Sequence, residues 1–292
     1  MSNMIGTIES NCKISIPLTG MESCSKQEGR VSALIVTSLN ASFPIEKDAF
    51  IEELGGDVST VGTNRVYPIK NIIGMTINGG DINAPDLGTY GGPMPVNLNA
   101  KNVAYQINAG DCMYKELAKL NKRKMRIFRV DNDGYVYGTV IKKGTNYEFA
   151  GFECTLYAHR APTDGSTAYN LSLYAYYTPN NEDEEKNMAA INIGLVNVPD
   201  GLIGVVLKKG TKEKTAIVIT QCGAEDITSE YGEKWTAKMF VNDSGTNPTS
   251  VSYDPTTGVL TIEPTGKYRV APASELKESI PGIEGINELV TI

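Results

Sequence analysis

Apolar residues recur along this chain with two periods, and the change of period marks its elements. Between Asp111 and Asn121, Met113, Leu117 and Leu120 fall at helical spacing, which predicts a short amphipathic helix with Asp111 placed to cap its first turn. After the basic joint Lys122-Arg123-Lys124 the period becomes that of a strand, Met125 to Val130, and Asp131-Asn132-Asp133-Gly134 supplies a tight turn into a partner strand, Tyr135 to Ile141. Two longer strands are predicted at Tyr147 to Ala158 and Thr167 to Thr178, so the block reads as a helix packed on a sheet.

Upstream, Val31 to Leu39 has the Val/Ile/Leu content of a core strand. Glu46 to Leu54 reads as a helix stopped by Gly55-Gly56, and Val66 to Thr76, with Pro68 and Gly74, as an edge or bulged strand. Asn78 to Pro95 is a long loop rich in Gly, Pro and Asn, the kind of segment that a partner or neighbouring subunit orders. Asn97 to Asn108 then alternates as a strand. Residues 1–30 are polar and predict an extended arm.

Composition changes most sharply at Pro179 to Asn187, where Glu182, Asp183, Glu184 and Glu185 lie together. Residues 181–190 therefore read as a linker. Beyond it come only short strands and turns, among them a hairpin closed by Asp254-Pro255-Thr256-Thr257-Gly258, and their spacing predicts a small β-sandwich over residues 191–292. The fold class expected is α+β, mostly β. It comprises a sheet or barrel domain over 31–180, with the helix 111–121 packed on it, and a second domain that is a sandwich.

Candidate chemistry is sparse. His159 is the single histidine among 292 residues, which removes most nucleophile-base and multi-histidine metal arrangements. The Asp131-Asn132-Asp133-Gly134 turn begins like a calcium loop, but Lys142 stands where the twelfth-position acid belongs and strands flank it. Glu52 and Glu53 lie side by side on the first helix with no aromatic cleft signal. No phosphate-binding glycine pattern occurs. Five cysteines without a Cys-x-x-Cys pair support neither a zinc site nor a disulfide framework, and Met1 to Lys13 lacks the features of a secretory signal. With 27 basic and 34 acidic residues the net charge is −7, unsuited to holding nucleic acid by counterion release. No enzyme, metal or cofactor is expected.

Two charged clusters remain: Lys122, Arg123, Lys124 and Arg126 on one side, and Glu182, Asp183, Glu184 and Glu185 on the other. In an acidic chain they suggest one segment facing the other across a subunit boundary. Tyr169 to Tyr177 is apolar or aromatic on both faces, as a strand central in a core or covered by another subunit would be.

The order helix, basic strand, Asp-Asn-Asp-Gly turn, Tyr135-Val136-Tyr137-Gly138 and long paired strands resembles virion structural proteins of Bacteroides-type phages, over about residues 10–180. Thr220-Gln221-Cys222-Gly223-Ala224, Met239-Phe240-Val241 and Ser252 to Gly258 look like the appended Ig-like domain of that group. The first half looks most like a tail tube protein. That resemblance implies a homo-oligomeric, hexameric ring stacked into a tube through which DNA passes unbound, assembled in the host bacterial cytoplasm with other virion proteins and without a membrane. A head decoration or head-to-tail connector protein is the alternative within the virion, and a carbohydrate-binding adhesin the alternative outside it.

Overall fold

The computed structural model describes residues 6–7, 28–60, 65–86, 88, 92–163, 166, 168–178 and 181–292, without the side chains of 6, 7, 181 and 182. Most of the expected arm 1–30 therefore lies outside the described residues. The chain forms two compact units, residues 1–57 with 63–199, and residues 58–62 with 200–292.

The first unit is built on one large open sheet. In chain order its elements are β1 (Gly6–Thr7), β2 (Val31–Ser38), α1 (Lys47–Val58), β3 (Tyr67–Ile69), β4 (Ile72–Asn78), β5 (Ile82–Asn83), β6 (Asn97–Leu98), β7 (Asn102–Ile107), α2 (Asp111–Ala118), β8 (Lys124–Asp131), β9 (Tyr135–Lys143), β10 (Asn146–Ala150), β11 (Phe152–Ala161), β12 (Asn170–Tyr177), α3 (Asn181–Lys186) and β13 (Met188–Asn192). The main path across the sheet is β1-β13-β9-β8-β11-β12-β7-β4, with β10 on β9 and β2 and β3 branching from β8; β5 and β6 form a separate two-stranded ribbon. No pairing among the described residues closes the sheet into a barrel.

The expected hairpin β8–β9 forms, and its turn is organised by Asp131. This fully buried carboxylate accepts from the backbone N–H groups of Asp133 and Tyr135 at 2.9 Å each and from the Tyr137 hydroxyl at 3.0 Å. Helix α2 also forms, but Asp111 does not cap it. Gly110 is the N-cap without a side-chain bond, and the Asp111 carboxylate instead takes Arg160 at 2.6 Å and Tyr169 at 3.0 Å.

Two expectations about glycine are corrected. Gly55 and Gly56 lie inside α1, because Phe50, Leu54 and Val58 recur at four-residue spacing on its buried side, and that burial offsets roughly 1 kcal/mol lost at each exposed glycine. The single long strand expected from Tyr147 to Ala158 is two strands, since the chain changes partners at Gly151, from β9 to β8. A Cβ at Gly151 would come within 2.7 Å of the Ile127 nitrogen, so only glycine fits the crossover.

Apolar side chains line both faces of the sheet. On one, Phe43, Phe50, Phe128 and Phe149 form an aromatic cluster with ring centroids 5.2 to 6.0 Å apart, brought together by α1. On the other, Leu117 and Leu120, from α2 and the turn after it, join Met125, Leu156, Tyr105 and Leu173. The stretch expected to be a linker belongs to this unit: β13 pairs with β9 from Met188↔Thr139 to Asn192↔Tyr135, and Ile191 and Ile193 are buried. The boundary thus falls after Pro199.

The second unit contains β14 (Ile203–Lys209), β15 (Thr215–Thr220), α4 (Thr228–Tyr231), β16 (Phe240–Asn242), β17 (Ser250–Asp254), β18 (Val259–Glu263), β19 (Lys267–Val270), α5 (Ala273–Leu276), β20 (Ile283–Gly285) and β21 (Val290–Thr291). Sheets β17-β18-β15-β14-β20 and β16-β19-β21 share one core. The hairpin at Asp254 to Gly258 forms as expected. Trp235 to Val241 is strand only from Phe240; the earlier part coils so that the Trp235 indole donates to the Thr228 carbonyl at 3.0 Å and packs edge-on to Tyr231. Cys112 and Cys222 are each disulfide-bonded, contrary to the expectation from cysteine spacing, and Cys154 is a buried free thiol. Among the described residues no helix is long and apolar enough to cross a membrane.

Candidate assembly surface

The two charged clusters meet within one chain. Arg126 donates from Nε to the Leu39 carbonyl at 2.8 Å, and from Nη1 to the Gly151 carbonyl at 2.7 Å and to Glu184 at 2.9 Å. The other oxygen of Glu184 accepts the Glu153 N–H at 2.9 Å. Glu185 pairs with Lys101, and Asp183 with Lys186 at 3.6 Å along α3. The side chain of Glu182 lies outside the described residues. Arg126, Asp183, Glu184 and Glu185 are therefore engaged inside the protomer, in place of the contact expected across a boundary. Lys122, Arg123 and Lys124 remain exposed, with no ion pair among the described residues.

Arg129, three residues along β8 from Arg126 and on the opposite face, is buried on the α2 side of the sheet. It forms a two-point ion pair with Glu28, at 2.6 and 2.9 Å, and lies 4.4 Å over the Phe152 ring. Burial works against its charge, but Tyr177 and Glu28 outweigh that effect and hold it protonated. Tyr105 and Tyr177 share a hydroxyl-hydroxyl bond at 3.0 Å, and burial pushes both phenols upward. This network anchors the chain entering from Glu28 and presents no open face to a substrate. Glu52 and Glu53 are successive helix positions and cannot converge on one bond; His159 stands exposed on β11 against Tyr174. Among the described residues no cluster of metal-ligating side chains exists.

The feature that is out of place for a monomer lies at the β4 edge. Met75 and Ile77 pair with Tyr105 and Val103, so they share the face on which those two are buried, yet they are 44% and 54% exposed. The core face thus runs onto an edge strand that no described residue covers. Beyond Asn78 the chain continues as a finger in which Ile82 faces Leu98 on one side while Asn83 and Asn97 bond at 3.0 Å on the other. Ile82 is 66% and Val96 65% exposed, and Met94 and Leu98 are exposed as well. Gly79 and Gly80, both at positive φ, set the bend at its root, where a Cβ on Gly79 would collide with the Ala100 carbonyl.

Sequence reading singled out the loop Asn78 to Pro95 as ordered by a partner but passed over these side chains. The available signal was the alternation Ile73, Met75, Ile77 on a strand already marked as an edge by Pro68 and Gly74, followed by isolated apolar residues in a Gly/Asn/Pro context. No family model, curated protein or solved structure matches this chain.

Proposed function

We propose that this chain is a non-enzymatic structural subunit that assembles with copies of itself, of the kind the phage tail tube resemblance implies. The observation that carries this reading is the uncovered apolar edge and finger. Ile73, Met75, Ile77, Ile82, Met94, Val96 and Leu98 are seven large side chains on one continuous segment, each about half exposed. Burying a large aliphatic side chain completely contributes ~1.5 to 3 kcal/mol, so covering these exposed halves would release on the order of 6 to 12 kcal/mol, comparable with the cost of fixing two molecules together. An exposed, apolar edge strand is a liability in a lone protein unless another chain completes it. In a ring or tube the acidic surface of the remainder would let DNA pass without adhesion.

The test is sedimentation velocity and negative-stain imaging of the full chain beside the Ile77→Asp, Leu98→Asp variant. The parent should form rings or tubes and the variant should sediment as a monomer with unchanged circular dichroism. A parent that stays monomeric up to its solubility limit overturns the proposal.

A further inference from the structure

On the side of the sheet away from α2, the strand register sets Lys124, Thr155, Tyr176 and Asn102 in one row across β8, β11, β12 and β7. Tyr157 and Tyr174 stand in the next row, with Thr76 of β4 at its far end, and His159 and Gln106 in the row after that. Tyr157 is 42% and Tyr176 48% exposed, although both belong to strands paired on two sides. The rings of Tyr174 and Tyr176 lie 6.2 Å apart and within 22° of parallel, and His159 meets Tyr174 edge-on at 6.3 Å, so aromatic surface continues along both strands. Among the described residues none of the three phenol hydroxyls has a hydrogen-bond partner. The amides beside them are held in place. Asn78 donates to Asn102 at 3.2 Å, and Gln106 lies over Gly74, where a Cβ would come within 2.7 Å of its Oε1.

Positive charge flanks this face at one end. Lys124 is directly opposite Thr155, and the joint before it is bonded to β11, the Lys122 N–H to the Leu156 carbonyl at 2.9 Å and the Leu156 N–H to the Arg123 carbonyl at 3.2 Å. Lys122, Arg123 and Lys124 are exposed without an ion pair among the described residues, in a chain whose net charge is −7. We propose that this face binds an acidic polysaccharide, with sugar rings laid on Tyr157, Tyr174 and Tyr176 and a carboxylate drawn to Lys122, Arg123 and Lys124. The C–H bonds of a sugar ring carry slight positive charge and settle on the negative faces of aromatic rings. Its hydroxyls both donate and accept, as the phenols and the amides of Asn102 and Gln106 do. Charge complementarity at the flank selects an acidic glycan over a neutral one. A polyphosphate charged at every unit would set most of its charge over uncharged phenols and amides, and against the net charge of the chain. Met75 and Ile77 lie on the opposite face, so this inference stands apart from the self-assembly reading.

The test is isothermal calorimetry of the full chain with hyaluronan oligosaccharides, in which a carboxylated ring alternates with a neutral one, beside dextran and single-stranded oligothymidylate. Hyaluronan should bind more tightly than either, with an affinity that falls as salt rises. Tyr157→Ala combined with Tyr176→Ala should weaken it about tenfold. Lys122→Gln combined with Lys124→Gln should weaken it and flatten its salt dependence. Circular dichroism and sedimentation of both variants should match the parent, since the replaced side chains are exposed or only partly covered. No binding of hyaluronan, or dextran bound equally well, overturns the proposal. So does tighter binding of oligothymidylate, which would make the face a nucleic-acid surface. Tyrosine variants that bind like the parent overturn it too, and variants that lose assembly would show a contact between copies in its place.

Discussion

Replacing Glu184 with Gln keeps the shape of the side chain and removes its charge, which makes it a sharp probe of the Arg126–Glu184 pair. The carboxylate has two jobs, accepting Arg126 Nη1 and the Glu153 N–H, both at 2.9 Å. An amide has one acceptor oxygen, so one of these donors keeps a partner and the other faces an NH₂ group and loses it. A hydrogen bond to a charged group contributes ~1.5 to 3 kcal/mol net, and a buried donor left unsatisfied costs about 1 to 3. Both side chains are 13% exposed, so water recovers part of the loss and the ~3 to 5 kcal/mol of a fully interior pair is an upper limit. Glu184→Gln should therefore destabilise the first unit by roughly 2 to 3 kcal/mol.

The companion variant distinguishes a structural pair from an interface pair. If the two clusters met across a boundary, exchanging the charges as Arg126→Glu with Glu184→Arg would restore the contact. Within this fold it cannot, because Arg126 also donates to the Leu39 and Gly151 carbonyls, and a carboxylate at 126 would face two acceptor oxygens. Urea unfolding, with amide exchange on β8 and β11 to assign the transition to the first unit, measures both variants. The loss should change little between low and high salt, since a shielded pair is weakly screened. A charge exchange that recovers parental stability, or a Glu184→Gln midpoint within ~0.5 kcal/mol of the parent, would refute the reasoning.

Truncation gives a second test: residues 1–199 should fold, whereas 1–190 loses buried Ile191 and Ile193 and the Ile193 N–H bond to Gly134, and should be at least ~3 kcal/mol less stable by urea midpoint. Equal midpoints would place the boundary back at residue 190. Cys154, buried on β11, has its thiol pushed up first by burial and then by Glu184 and Glu153, so the thiolate is scarce at neutral pH. Alkylation of Cys154 should therefore track unfolding, and rapid labelling of the native chain would contradict its placement in the core.

Period and turn chemistry sufficed for the elements that carry both signals. The β8–β9 hairpin and α2 were legible because Asp131 to Gly134 announces the turn and Met113, Leu117 and Leu120 mark a single helix face. Alternation says nothing, however, about which neighbour a strand pairs with, so the exchange of partners at Gly151 was invisible. Residues 181–190 have the polar composition of a linker, whereas Arg126 and Lys101 draw Glu184 and Glu185 onto the sheet and β13 follows directly. The same limit governs the candidate site. Opposite charges stand out in a sequence, yet Arg126, Asp183, Glu184 and Glu185 find partners at short range inside the chain. The alternation Ile73, Met75, Ile77 reads like any half-buried strand, and its meaning depends on a fact that no local pattern encodes, namely that among the described residues the face carrying Met75 and Ile77 has no cover at that edge. Apolar surface cannot be satisfied by a nearby counter-charge or by water. It is therefore at the uncovered strand and finger, and not at the charged clusters, that a second chain has the most free energy to gain.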